Sequence, residues 1–312
     1  MKAIRFDRYG GPEVLQYTDV PDPEPGPGDV LIAVHAASVA PGDWKVRAGH
    51  LQQIFPQTFP TTPGRDGAGT VLALGPGANG VGVSVGDEVC FITAHTENGS
   101  YAELVARPAA EVVRRPANVS FTEAAAAVHA GVCAWIPLLE TTTVVAGQHV
   151  LVHGGSGGVG GMAVQIARHL GAEVAATCRA ANADYVRSLG AGTVIPYDEG
   201  DFAAELNDYD IVLDLVGGDI HRRSYAVLKP GGSLVWLIAQ PIQDLGAEHG
   251  VNVLRADIHD ATYVLQAVAD LVATGAVRPQ VGRTLPLAQA AEAQRLLQAG
   301  EHSRGRIVLE VR

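Results

Sequence analysis

The chain has 312 residues, of which 47% are hydrophobic, 18% charged and 5% aromatic, with 37 glycines. This is the composition of a folded, turn-rich α/β protein rather than a disordered one, and the length implies about two domains. A net charge of −11 without any block of lysines or arginines excludes nucleic acid as the primary partner, and three widely spaced cysteines exclude a CxxC metal knuckle and a disulfide framework.

The opening stretch "MKAIRFDRYGGPEVL" carries charges throughout and shows no secretory signal. The most apolar run, Ala124 to Leu139, is interrupted by His129, Gly131 and Pro137 and is shorter than the ~20 residues a bilayer needs. A cytoplasmic protein with no membrane partner is therefore expected. After the turn-forming "PDPEPGPG", the segment "DVLIAVHAASV" alternates as a half-buried strand does, and "GTVLALG" and "GDEVCFI" repeat the pattern. Residues 1–120 thus read as a β-rich, irregular domain.

At Ser120 the texture changes. Ser120 and Glu123 have S-x-x-E spacing, a capping box that opens a helix. Strands and helices then alternate: "HVLVHG", a helix over 158–170, "EVAATC", a helix over 181–189, "TVIPY", "DIVLDLVG", a helix near 219–228, and "GSLVWLI". Such βαβ alternation predicts a doubly wound parallel sheet over residues 121–256. Residues 257–312 hold helices near 260–274 and 287–299 and a closing strand "GRIVLEV", which has no evident partner in that sheet and is expected to return to the first domain.

Between the first strand and helix of the parallel sheet, Gly155, Gly157 and Gly160 take GxGxxG spacing, so Gly155, Ser156, Gly157, Gly158, Val159 and Gly160 form a candidate phosphate cradle at a helix N-terminus. In this reading Gly155 permits the tight turn, Gly157 admits a pyrophosphate, and Gly160 lets helix and strand pack closely. NAD sites carry an acidic residue at the end of the second strand, about 20 residues on. Here that strand ends "TCRAAN": Arg179 stands where a 2′-phosphate would be received, and Tyr197 after the third strand falls beside it. NADPH is the cofactor these residues favour.

The βαβ unit, the "GSYAEL" segment, the "LKPGG" turn and the closing "GEHSRGRIVLEV" together resemble the zinc-independent quinone oxidoreductase branch, the zeta-crystallin-like branch, of the medium-chain dehydrogenase/reductase superfamily. The resemblance covers essentially the whole chain. It implies an α/β protein with a GroES-like β-rich catalytic domain, a Rossmann domain inserted before the C-terminus, and a cleft holding NADPH and substrate. The positions that match the zinc ligands of relatives are Ala40, Arg65 and Ala130, none of which can serve, so no metal is expected. The resemblance also implies dinucleotide contacts at Val216, Gly217, Leu237, Ile238 and Arg306, and a homodimer formed through edge strands.

"PGDWKVRAG" resembles the "NPxDxKxRxG" pattern of alkenal and enone oxidoreductases in this branch. That assigns catalysis to Lys45, near the substrate carbonyl, with Asp43 orienting it. Ala40 and Cys133 depart from the pattern. The expected activity is metal-free hydride transfer from NADPH to quinones or α,β-unsaturated carbonyls. "GGVGGMAVQIARHLGAEVAAT" also resembles the enoyl reductase modules of polyketide synthases, which makes an enoyl-thioester reductase the rival; a catalytically silent NADPH-binding sensor or structural protein is the alternative from another class.

Overall fold

A computed structural model describes residues 1–79, 82–237, 242–302 and 304–312. They divide into two compact units: Met1–His129 with Asp260–Ala273 and Pro279–Arg312, and Ala130–His259 with Thr274–Arg278. The division falls inside the helix Phe121–Trp135, nine residues beyond the 120/121 boundary suggested by the change in sequence texture. That helix starts as its capping box predicts, with the Ser120 amide donating to Glu123 at 2.8 Å and the Glu123 amide donating to Ser120 Oγ at 3.2 Å. It continues into a π-helical turn, Ile136–Thr141. By length and apolarity this run could cross a membrane, but 72% of its most apolar window is buried within the protein, as in a core helix.

The first unit is organised by the long strand Asp29–Val39. It pairs antiparallel with Asp66–Leu74, with Leu104–Pro108 and with the closing strand Arg306–Glu310. Val30, Ile32 and Val34 face one buried cluster with Val71, Val89, Phe91 and Val105. A register irregularity between Val34 and Ala36 changes the side-chain parity, and beyond it Ala37 and Val39 join a second cluster with Ile4, Tyr101, Ile307 and Leu309. The closing strand also runs parallel to Val281–Pro286, so residues near both ends of the chain share one seven-stranded sheet.

The second unit is a six-stranded parallel sheet in the order Thr193–Pro196, Glu173–Cys178, His149–His153, Tyr209–Asp214, Leu228–Trp236, Asn252–Arg255. In chain order within the unit this is 3-2-1-4-5-6, the doubly wound arrangement that takes ligands at the carboxyl ends of its strands. The central residues Val150, Leu151 and Val152 are fully buried, consistent with a strand covered on both faces.

Leu309 is fully buried in the second cluster. Leu309→Ala removes part of the contact that locks the closing strand onto the first unit, and urea unfolding should show a loss of about 3 kcal/mol. A loss below about 1 kcal/mol would show that the cluster closes over the gap.

Candidate functional site

The glycine loop lies between the strand His149–His153 and the helix Gly158–His169. Its left-handed residue is Gly154, with φ +76°. This moves the tight-turn role foreseen for Gly155 by one position. Gly155 is required for another reason: a Cβ there would lie 2.7 Å from Ala176 Cβ on the next strand. At Gly160 a Cβ would lie 2.1 Å from the Gly154 carbonyl oxygen, so only glycine lets the helix come this close to the turn. Ser156 is buried, while Gly157, Gly158 and Val159 are half-buried at the start of the helix, where free amides face anions.

Arg179 and Tyr197 are brought together at the ends of the second and third strands. Arg179 Nε donates to Tyr197 Oη at 3.1 Å, and both side chains are exposed. The Tyr197 amide donates to the Cys178 carbonyl at 2.9 Å, which holds the two strand ends in step. Asp198, next to Tyr197 in the chain, accepts from the Ala180 amide at 2.8 Å, so this carboxylate is engaged by the backbone. The loop and this pair fit a dinucleotide with a 2′-phosphate: amides and a helix dipole for the pyrophosphate, a guanidinium and a phenol for the extra charge.

Val216 and Gly217 form the turn after the fourth strand, and the Val216 side chain is 49% exposed. A Cβ on Gly154 would meet Val216 Cγ2 at 3.7 Å, so this turn borders the glycine loop. Leu237, half-buried, directly follows the fifth strand; Ile238 lies outside the described residues. Sequence reasoning missed Asp214. It is fully buried at the end of the fourth strand, and its Oδ1 accepts from the Val216 amide at 2.9 Å and the Gly217 amide at 2.8 Å. The available signal was a carboxylate at the end of the apolar run "DIVLDLVG".

In the first unit, Asp43 and Lys45 lie on a short helix, Pro41–Arg47, that the sequence analysis did not foresee. The start was hidden because Ala40, the N-cap, has no acceptor side chain. Asp43 compensates from the third helical position, where its Oδ2 accepts from the Ala40 amide at 2.8 Å and from Tyr101 Oη at 2.9 Å. The orientation of Lys45 by Asp43 is not found. Residues two apart on a helix face different ways, and Asp43 is committed to the cap. Lys45 is half-buried, with its Nζ 5.8 Å from the centre of the Trp44 ring, and burial pushes its ammonium pKa down.

Behind this helix is a buried charged group. Asp66 accepts from Ser38 Oγ at 2.8 Å, and burial pushes its carboxyl up against the pull of Arg306. Arg306, for which a dinucleotide contact was expected, is 4% exposed in this unit, with Nη1 3.5 Å from the Val39 carbonyl. Arg65 donates to Asp260 at 2.7 Å. Burial, reinforced by Arg65, pushes His95 down to about 3 and His129 well below the usual imidazole range, so both rings are neutral. Among the described residues no group of three His, Cys, Asp or Glu side chains is placed to hold a metal ion.

Residues 26–117 match the alcohol dehydrogenase GroES-like domain family, and residues 189–309 match the zinc-binding dehydrogenase family. The chain is 30% identical to the chloroplast envelope quinone oxidoreductase homolog of Arabidopsis thaliana, over 99% of this chain and 98% of that one. Among solved structures, the quinone oxidoreductase from Coxiella burnetii is 33% identical with a TM-score of 0.90, covering 100% of this chain and 99% of that one. A mycobacterial protein solved in complex with NADPH is 31% identical with a TM-score of 0.89, each chain being covered in full (100%).

Burial pushes the Asp43 carboxyl from an ordinary 3.8 up to about 7. The stability this contributes is fully present below the unfolded value and is lost as pH rises through about 7, where the native state must ionise a buried acid that the unfolded chain ionises freely. Asp43→Asn keeps an acceptor for Ala40 and Tyr101 but removes the titration. Relative to the parent, the variant should gain about 2 kcal/mol between about pH 5 and pH 8 in urea unfolding. Parallel stability curves for the two proteins would show that this carboxyl does not titrate there.

Proposed function

The chain belongs to the medium-chain dehydrogenase/reductase superfamily, and from that premise we propose that this NAD(P)H oxidoreductase uses NADPH to reduce quinones or α,β-unsaturated carbonyls. The observation that carries the cofactor choice is the Arg179–Tyr197 pair at the ends of the second and third strands, where an NAD site would present a carboxylate. The acceptor class rests on its quinone oxidoreductase relatives and on the side chains at Ala40, Arg65 and Ala130, none of which is a metal ligand.

When bound, NADPH supplies the hydride. The chain's own contribution is to hold and to polarise. Amides of the glycine loop and the start of Gly158–His169 receive the pyrophosphate, while Arg179 and Tyr197 receive the 2′-phosphate. A quinone or enone spreads incoming negative charge onto an oxygen, and the Lys45 ammonium donates a hydrogen bond and then a proton to that oxygen. Burial favours this role by making the ammonium a stronger acid than a free lysine.

The test is NADPH oxidation by the purified protein with benzoquinone, phenanthrenequinone, a short alkenal and crotonyl-coenzyme A, repeated with NADH. Turnover of a quinone or alkenal with strong NADPH preference is expected. Arg179→Ala should raise the KM for NADPH about tenfold and leave NADH unchanged. Lys45→Ala should lower kcat by about a hundredfold or more, and the parent's rate should fall on the alkaline side at a pH below the ordinary lysine range. Turnover of the thioester alone would favour an enoyl-thioester reductase, and NADPH binding without any turnover would favour a silent binding protein.

A further inference from the structure

Beneath the two backbone turns of the candidate cofactor site runs a buried hydrogen-bond system that the proposed chemistry does not use. Its direction can be followed from the donors. Ser224 Oγ donates to the Ile220 carbonyl at 2.7 Å, so at its 3.0 Å contact with His153 Nε2 it accepts. Burial pushes His153 below the usual imidazole range, so the neutral ring carries one proton. That proton is on Nε2, and Nδ1 accepts from the Thr177 hydroxyl at 3.1 Å. Thr177 Oγ1 in turn accepts from the Gly154 amide at 3.3 Å. The chain therefore links the glycine loop to the short helix Asp219–Ser224.

The same helix holds the neighbouring turn. His221 Nδ1 donates to Asp214 Oδ2 at 2.8 Å, while Asp214 Oδ1 takes the Val216 and Gly217 amides. Burial alone would raise the Asp214 carboxyl, but the hydrogen bonds from His221, Gly217 and Val216 outweigh it and hold the group below the usual range. Tyr225 Oη lies 3.3 Å from His221 Nε2, donates to the Gln243 carbonyl at 3.0 Å and accepts from the Leu245 amide at 3.1 Å. The side chains of this network do not reach a ligand: Asp214, Ser224 and His153 are fully buried, His221 and Tyr225 are 2% exposed and Thr177 is 4% exposed.

We propose that Asp219–Ser224 is the positioning element of the cofactor site: through Asp214 and His221 it fixes the Val216–Gly217 turn, and through His153 and Thr177 it fixes the Gly154 turn. The spacing of the two turns is then set from below by one helix. This rests on the reading that the carboxyl end of the sheet binds NADPH. It predicts a selective defect, because a 2′-phosphoadenosine held by Arg179 and Tyr197 depends on neither turn, whereas the whole dinucleotide does.

The test is equilibrium binding of NADPH and of adenosine 2′-monophosphate to the full chain, with urea stability measured in parallel. Asp214→Asn, which can no longer accept from both the turn amides and His221, should weaken NADPH about tenfold or more while changing adenosine 2′-monophosphate by less than about twofold. Ser224→Ala, a milder change that removes the acceptor of His153, should weaken NADPH about threefold with the same selectivity and serves if Asp214→Asn fails to fold. Equal weakening of both ligands, or of neither, in a folded variant overturns the positioning role. Parent protein that binds neither ligand overturns the cofactor reading, and this inference with it.

Discussion

The approach of Gly160 to the Gly154 carbonyl is the constraint on which the second unit depends. A side chain at residue 160 would collide with that oxygen at 2.1 Å, so the helix Gly158–His169 cannot sit at this depth with any other residue. From that depth follow the contact of Gly155 with Ala176, the burial of Met162, Ala163 and Ile166 against the sheet, and the placement of the helix N-terminus over the strand ends. The anion-binding geometry is thus a by-product of packing. The amides are free because they begin a helix, and they point at the strand ends because the packing leaves the helix no other depth.

Two fully buried carboxylates show how the fold sets opposite charge states with the same residue type. Asp43 has one oxygen that accepts two hydrogen bonds and a second, Oδ1, with no partner; burial wins and its carboxyl rises to about 7. Asp214 spreads three donors over both oxygens, and its carboxyl is held below the usual range. Desolvation acts upward on both; at Asp43 it is joined by the neighbouring Asp66 carboxylate, whereas at Asp214 the hydrogen bonds from three donors outweigh it. Oδ1 of Asp43 is compatible with a proton, and a cavity of about 10 Å³ borders the residue, room for about one water.

Much of this was legible in the residues. The parallel sheet follows from alternating βαβ texture, and the closing strand's place from its lack of a partner there. Ser120 and Glu123 announced their helix, and the glycine spacing with Arg179 and Tyr197 marked the residues that gather at the strand ends. What escaped depended on tertiary contacts. The helix Pro41–Arg47 has no side-chain cap at Ala40 to announce it, since the capping acceptor comes from Asp43 inside the helix. Asp214, His153 and His221 read as strand or helix residues of no special kind, because their meaning lies in partners from other elements, such as Ser224 for His153.

Both segments that carry the proposals are helices too short to stand alone. Pro41–Arg47 has seven residues and Asp219–Ser224 has six, below the ~12 residues at which even good helix formers become stable in water. Each is held by a buried acid bonded to backbone amides or to the helix itself: Asp43 closes the first turn of the one, and Asp214 grips His221 on the other. The order of Lys45 on the first, and of the Val216 turn beside the second, is therefore borrowed from hydrogen bonds that water would otherwise compete for. The surrounding core limits that competition, with Tyr101 donating to Asp43 and Tyr225 edge-on to His221. In both units, then, the core contributes to the candidate sites by shielding a polar contact from bulk water.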